Sequence, residues 1–261
     1  MYDLSGLEDA IAGTSFTGNL RFSASTGSTN TDALDAARAG APHGAVFLAD
    51  EQQAGRGRGN HHWHSARGQG LYVSVLLRPA FSAARLPLLP LVAGLAAADA
   101  IRAASGLTTD LRWPNDLLIG ERKTGGILVE SKTDGSSVAF AVVGIGINVH
   151  QDAFDPELAT PATSLDIAAG RTISRQTVLI ALLKSLERES VQLLQADAGQ
   201  TIPARVSQAS TWIRGRRVTI HGPQACTGVT AGLDEDGFLR VATADGIVTV
   251  HTGGMRAAET G

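Results

Sequence analysis

The sequence has a single cysteine, no excess of positive charge and no long apolar run free of interruptions. With Cys226 alone among 261 residues, no disulfide can form within the chain, and nothing indicates an oxidising compartment. The formal net charge is −3, which argues against non-specific binding of nucleic acid as the main activity. The positive charges that do cluster in the sequence therefore have local roles.

Membrane and export signals are also missing. The most apolar long stretch, residues 86–104, is broken by two prolines and two charged residues, which does not fit a membrane span. The first four residues lack the basic and apolar segments of a signal peptide. We expect a cytoplasmic protein that does not enter a membrane.

What the sequence does contain suits a folded chain of two unequal parts. A hydrophobic content of 43% and a charged content of 18% are ordinary for a folded protein, and the length allows one large domain and one small one. From residue 212 onwards the pattern changes to short strands at 217–220, 226–233, 238–242 and 247–251 with tight turns between them. Four or five such strands predict a small SH3-like barrel. The predicted domains are 1–211 and 212–261.

Residues 51–63, the glycine-rich loop, form the most informative stretch. Glycines alternate with Arg56 and Arg58, and histidines follow at positions 61, 62 and 64. Glycine lets the backbone approach a ligand closely, and arginine is suited to binding phosphate or carboxylate. The pattern predicts a mobile cationic loop over an anion, although a solvated basic loop or an RGG-like tail would show similar residues. A strand rather than a helix follows, and no Walker A motif occurs, so a Rossmann or P-loop site is excluded.

Further polar clusters lie at the ends of predicted elements. These clusters are Gly27-Ser28-Thr29-Asn30, Arg112-Trp113-Pro114-Asn115-Asp116, Lys123 before Gly125-Gly126, and Gly144-x-Gly146-x-Asn148. The first three have an ordinary structural explanation: N-capping of a helix, an Asx turn and a solvated lysine, respectively. Each cluster also suits a ligand, because rigid turns and glycines place polar groups where a ligand reaches them. Glycine inside a strand marks the close approach of another group.

Hydrophobic periodicity predicts the main elements of the first domain. We expect strands at 20–23, 45–49, 70–78, 127–130 and 138–147, helices at 31–39 and 87–104, a helical turn at 163–169 and a helix capped by Ser174 that runs to residue 195. Asn30 or Thr31 is the expected N-cap of the helix at 31–39. Lys123 is expected in a turn, and residues 198–211 are expected to be a linker.

Taken together, these motifs and their order resemble the biotin protein ligases, from about Leu20 to Arg256. The resemblance implies an α+β fold: a mixed sheet flanked by helices, related to class II aminoacyl-tRNA synthetases, followed by an SH3-like barrel. It also implies a two-step reaction. Biotin and ATP give biotinyl-5′-adenylate and pyrophosphate, and the biotinyl group then passes to a lysine of a biotin carboxyl carrier protein. Mg²⁺ is expected to accompany ATP.

The resemblance also implies roles for individual residues. The expected biotin-binding residues are Ser28, Thr29, Asn30, Gln52, Arg56, Gly57, Arg58, Lys123 and Gly126. The expected ATP- or adenylate-binding residues are Arg58, Trp63, Asn115, Asp116, Lys123 and Asn148. Lys123, Arg58 and Asp116 are the expected catalytic residues, with Asp116 as a candidate Mg²⁺ ligand and as the candidate acceptor of the carrier lysine's proton.

Departures from the family pattern and open alternatives remain. The family commonly continues the loop as Arg-Arg-Gly-Arg, whereas Arg58 is followed here by Gly59-Asn60-His61, and Arg112 replaces a usual lysine. No winged helix precedes the catalytic part, so we expect no DNA binding. A zinc site at His61, His62 and His64 is one interpretation, but histidines in such a loop more often contact solvent or phosphate. A lipoate ligase, or a biotin-binding module without catalysis, stays possible, as do a monomer and a homodimer.

Overall fold

The computed structural model describes residues 2–59 and 61–258, and the strands of this part form two sheets. The first sheet contains β1 (Leu20–Ser23), β2 (Val46–Ala49), β3 (Gly70–Leu77), β4 (Asp110–Arg112), β5 (Asp116–Ile119), β6 (Arg122–Asp134) and β7 (Ser137–Asn148). Their spatial order is β1-β2-β3-β7-β6-β5-β4. The β1–β2 pair is parallel and the other pairs are antiparallel, so the predicted mixed sheet is confirmed.

Helices flank this sheet. They are α1 (Leu4–Ala10), α2 (Thr29–Arg38), α3 (Leu89–Ser105), α4 (Leu165–Ala169), α5 (Arg175–Gln192) and α6 (Ala198–Gln208), and a 3-10 helix over Ala83–Leu88 precedes α3. The stretch Ala83–Ser105 is long and apolar enough to cross a membrane by length and composition alone. Most of α3 is nevertheless buried, and it packs with α5 in the hydrophobic core.

The second sheet is antiparallel throughout. It contains β8 (Arg214–His221), β9 (Cys226–Leu233), β10 (Leu239–Thr243), β11 (Gly246–Val250) and β12 (Gly254–Ala257), in the order β11-β10-β9-β8-β12. This arrangement is consistent with the expected SH3-like barrel, and β12 is a fifth strand that the four predicted ranges did not include. The domain boundary between 211 and 212 stays a prediction.

Several contacts fix the barrel against the first sheet. The indole Nε1 of Trp113 donates to the carbonyl of Gly237 at 3.0 Å, and Arg216 forms an ion pair with Glu121 at 2.9 Å. Gly237 has a φ of 84°, and a Cβ there would lie 2.8 Å from Leu91. The barrel turn at residue 237 therefore sits directly on the helix layer, with no space for a side chain between them.

Two sequence-based predictions of element type were wrong. Residues 198–208 form α6 rather than a linker, because Ala198, Ile202 and Val206 recur every four residues and bury one face of a helix despite Pro203. Lys123 lies in β6 rather than in a turn, since Leu118 of β5 pairs with it across a short turn in which Gly120 has a φ of 59°.

The other errors concern element ends. Helix α2 begins at Thr29 with Ser28 as its N-cap residue, so neither Asn30 nor Thr31 is the cap. Ser174 does cap α5, as predicted, because its side chain accepts from the amide of Thr177. That helix ends at Gln192 rather than at residue 195. The earlier start of α2 turns Thr29 and Asn30 inward, where both are buried.

Candidate functional site

A cavity of roughly 730 Å³ lies between the first sheet, the glycine-rich loop and one end of the barrel. Every residue that the sequence analysis assigned to a binding or catalytic site lines this cavity. From the first domain these are Ser28, Thr29, Asn30, Gln52, Arg56, Gly57, Arg58, Trp63, Asn115, Asp116, Lys123, Gly126 and Asn148. Clusters that are far apart in the chain therefore meet in one place, although their individual roles stay predictions.

One part of the cavity wall is polar but uncharged. The side-chain oxygen of Gln52 accepts from the amide and the hydroxyl of Thr29, at 2.9 and 3.1 Å. The hydroxyl of Ser74, in the middle of β3, donates to Thr29 at 2.8 Å or to Asn30 at 2.6 Å. The first turn of α2, the start of the glycine-rich loop and β3 are thus joined by hydrogen bonds. Such a pocket suits a neutral polar group that both donates and accepts.

Glycines in β6 and β7 make room for side chains of the site. A Cβ at Gly144 would lie 2.0 Å from the side chain of Asn30, and one at Gly146 would lie 2.5 Å from the indole nitrogen of Trp63. Gly126 lies beside the same indole. The sequence-based expectation that these glycines mark close approach is confirmed, because the approaching groups are Asn30 and Trp63. The Trp63 indole nitrogen is buried and lacks a hydrogen-bond partner within residues 2–59 and 61–258.

The two arginines of the glycine-rich loop have different surroundings. Arg56 forms an ion pair with Glu130 of β6, whose other contact is the Asn30 amide at 2.9 Å. Arg58 instead donates to three neutral acceptors, Asn115 and two barrel residues. Burial lowers the pKa of the Arg58 guanidinium below its usual value, and the negative charge of Asp116 opposes that shift.

Asp116 lies between two cations. Its Oδ1 contacts Nζ of Lys123 at 2.5 Å, and its Oδ2 accepts from Arg112 at 2.6 Å. Burial alone would raise the pKa of Asp116, but the charges of Lys123 and Arg112 outweigh that effect and hold the pKa below its ordinary value. The carboxylate thus fixes Lys123 at the cavity wall, where Nζ also lies 5.5 Å from the ring centre of Trp63.

Asp116→Asn is expected to destabilise the fold by about 3 kcal/mol, because it leaves the buried Arg112 without its charged partner. Urea unfolding of the two proteins at neutral pH measures this difference. A carboxyl with a depressed pKa stabilises the fold above its unfolded-state pKa, so the difference should shrink as the pH falls through the lower folded-state pKa. The matched control is Asp99→Asn, which breaks solvent-accessible ion pairs with Arg102 and Arg188 and should cost below about 1 kcal/mol. Equal losses for both variants would contradict the prediction.

The site does not fit a magnesium ion held by the protein. Asp116 is the only carboxylate among the described lining residues, and both of its oxygens already contact cations. Mg²⁺ needs several oxygen ligands, often from one or two carboxylates and from phosphate. Within the described ranges no group of three or more His, Cys, Asp or Glu could hold a metal. His61, His62 and His64 line the cavity wall together with His221 of the barrel.

Several residues of the site were not found from the sequence. Ser74 is a single hydroxyl within an otherwise apolar strand, which is a sequence signal for a polar contact inside the sheet. Glu130 and the barrel residues carried no local signal, since their contacts join parts of the chain far apart in sequence. Asn148 lines the cavity, but its side chain is held by Thr163 and Gln151. Asn60, part of the departure from the family pattern, lies outside the described residues.

Comparisons with known proteins agree with this geometry. Residues 22–148 match the Biotin/lipoate A/B protein ligase family, and residues 214–255 match the Biotin protein ligase C terminal domain. The first match contains nearly all of the cavity residues of the first sheet. The second match falls on the antiparallel sheet of the barrel.

Individual relatives resemble most of the chain. The Bifunctional ligase/repressor BirA of Bacillus subtilis is 37% identical over 233 residues, which are 86% of this chain and 70% of that protein. The Biotin--[acetyl-CoA-carboxylase] ligase of Mycobacterium tuberculosis is 34% identical over 242 residues, or 88% and 85% of the two chains. The solved structure of the biotin protein ligase from Aquifex aeolicus in complex with biotin and ATP has a TM-score of 0.77 and 30% identity, and covers 92% of this chain and 98% of that one.

Proposed function

Since the chain belongs to the Biotin/lipoate A/B protein ligase family, we propose that biotin and ATP react with each other in its cavity. The biotinyl group then passes from this cavity to a carrier lysine. The activity is that of an ATP-dependent biotin protein ligase. Relatives carry that name, and a matched structure with the same fold holds biotin and ATP. The assignment of single residues to steps is our proposal.

One observation carries the proposal. A single cavity presents a neutral hydrogen-bonding pocket and, elsewhere on its wall, Lys123 and Arg58. The neutral pocket around Thr29, Gln52 and Ser74 suits the ureido head of biotin, which has both N–H donors and a carbonyl acceptor. The cations suit the biotin carboxylate and the phosphates of ATP, which would repel each other without them.

In the first step, a carboxylate oxygen of biotin attacks the α-phosphorus of ATP. A new oxygen–phosphorus bond forms, the bond between the α- and β-phosphates breaks, and pyrophosphate leaves. We propose that Lys123 contacts the carboxylate and the α-phosphate while charge moves to the leaving group. Asp116 holds the lysine in place, because its Oδ1 contacts Nζ of Lys123 at 2.5 Å while its Oδ2 is fixed by Arg112 at 2.6 Å.

In the second step, the ε-amine of the carrier lysine attacks the acyl carbon of the adenylate. The carbon–nitrogen bond forms, AMP leaves and the amine loses a proton. The earlier assignment of Asp116 as the proton acceptor stays a prediction, and its lowered pKa and two ion pairs weigh against it. We propose that Asp116 acts instead as a positioning residue for Lys123.

The proposed reaction also needs a carrier protein and a metal ion. The expected carrier is a biotin carboxyl carrier protein, consistent with relatives named for acetyl-CoA carboxylase. Because Asp116, the one carboxylate among the described lining residues, is already paired with two cations, we propose that Mg²⁺ enters bound to the triphosphate of ATP. We further propose that the protein works in the cytoplasm, where ATP and carrier proteins are available.

The proposal is tested by incubating the protein with labelled biotin, ATP, Mg²⁺ and a biotin carboxyl carrier domain. We expect label on the carrier, none without ATP, and none on a carrier whose target lysine is replaced by arginine. Parallel reactions offer labelled lipoate with a lipoyl domain. Transfer of lipoate alone would establish the rival ligase activity, and binding of biotin without transfer would establish a module without catalysis.

A further inference from the structure

The glycine-rich loop rests on the barrel through Arg58. One guanidinium nitrogen donates to the carbonyl of Gly253 at 3.0 Å, and the other terminal nitrogen donates to the hydroxyl of Thr252 at 3.0 Å. A longer contact of 3.4 Å reaches Asn115 of the first domain. The turn between β11 and β12, residues 251–253, is therefore in direct contact with an arginine almost 200 residues earlier in the chain.

These acceptors orient the Arg58 side chain but do not neutralise it. None of the described carboxylates forms an ion pair with Arg58, whereas Arg56 is paired with Glu130. A cation held by neutral oxygens keeps its charge available for an anion and loses little freedom when the anion arrives. The barrel turn thus fixes the position of a charge that faces the cavity.

The turn itself is closely packed. Gly253 has a φ of 143°, and a Cβ there would lie 2.4 Å from the carbonyl of His221. Gly254 pairs with His221 in the sheet, and the ring of His251 packs edge-on against Phe238 at 4.6 Å. Since the neighbouring turn at Gly237 is bonded to Trp113, the position of Thr252 is set relative to the first domain as well.

We propose that the β11–β12 turn is the docking site of the glycine-rich loop, and that Thr252 is a positioning residue which holds Arg58 over the cavity and so retains the biotinyl-5′-adenylate. The inference rests on the proposed ligase function. The Thr252 hydroxyl touches no reacting atom in this account and acts only through Arg58. In this proposal the barrel contributes directly to the active site, because it positions one of the residues that line the cavity.

The test replaces the Thr252 hydroxyl by a methyl group of similar size. Because Arg58 keeps its bond to the Gly253 carbonyl in Thr252→Val, we expect only a partial effect: labelling of an added bystander protein, relative to the carrier, should rise by about three- to tenfold. Thr252→Ser, which keeps the hydroxyl, should behave like the wild type. Thr227→Val is the matched control in the same barrel, because the Thr227 hydroxyl is exposed and, among the described residues, bonds to Thr219 alone.

A double variant separates positioning through Arg58 from a general loosening of the barrel. If Thr252 acts through Arg58, adding Thr252→Val to Arg58→Gly should cause no further increase in bystander labelling. The inference is overturned if Thr252→Val labels bystanders no more than Thr227→Val, or if it has the same effect with and without Arg58. Wild-type protein that transfers no biotin at all would instead overturn the proposed function, and the inference with it.

Discussion

Lys123→Gln is expected to lower the rate of biotin activation by about 10²–10³-fold, the usual cost of removing one fixed group that stabilises charge in the transition state. The ammonium of Lys123 is held at the cavity wall by Asp116 at 2.5 Å and lies close to the indole of Trp63. Glutamine fills much of the same space but brings no charge. Without that charge, the electrostatic repulsion between the biotin carboxylate and the triphosphate is not screened.

Biotin-dependent release of pyrophosphate from ATP measures this step without the carrier protein. The matched control is Lys132→Gln, which removes an exposed lysine from the same strand β6 and should leave the rate unchanged. Thermal unfolding of both variants checks that the fold is intact. Equal rates for Lys123→Gln and the wild type would show that the lysine does not take part in activation.

Arg58→Gly is expected to produce the second large effect, which is release of the adenylate before transfer. The loop would lose all three contacts of the guanidinium, including those to the barrel, and the charge that faces the cavity. Since hydrogen bonds to a charged group contribute about 1.5–3 kcal/mol, labelling of bystander lysines should rise by about 10–100-fold. Transfer to the carrier should continue.

A mixed-protein assay with labelled biotin compares the pattern of labelled proteins directly. Arg67→Gly is the control, because Arg67 is an exposed arginine near the same loop whose partner is Glu51. It should label the carrier alone, as the wild type does. An unchanged labelling pattern for Arg58→Gly would mean that retention of the adenylate depends on other residues.

The sequence predicted those parts of the fold that local patterns determine. Alternating and continuous apolar runs located β3 and β7 to within one residue at each end, and Ser174 gave the start of α5. Glycines at 144 and 146 correctly indicate close approach, although the pattern does not identify Asn30 and Trp63 as the approaching groups. Local signals failed at α6, where Pro203 and a short apolar stripe resembled a linker, although Ile202 and Val206 bury a helix face.

Contacts between distant parts of the chain could not be predicted in the same way. Glu130 lies 74 residues from Arg56, and Thr252 lies 194 residues from Arg58, and no spacing rule connects either pair. The glycine-rich loop could be identified as a ligand loop, but the acceptors that hold its arginines depend on the tertiary fold. The lowered pKa of Asp116 depends on its ion pairs with Arg112 and Lys123, which the pairing of β4, β5 and β6 brings next to it.

A crystal structure with biotin and a non-hydrolysable ATP analogue tests the central claim most directly. The claim is that fixed cations on the wall of one cavity allow two negatively charged substrates to meet. We expect the biotin carboxylate within about 2.7–2.9 Å of Nζ of Lys123, the ureido head near Thr29 and Gln52, and the phosphates beside Arg58. Biotin bound outside this cavity, away from both Lys123 and Arg58, would contradict the account.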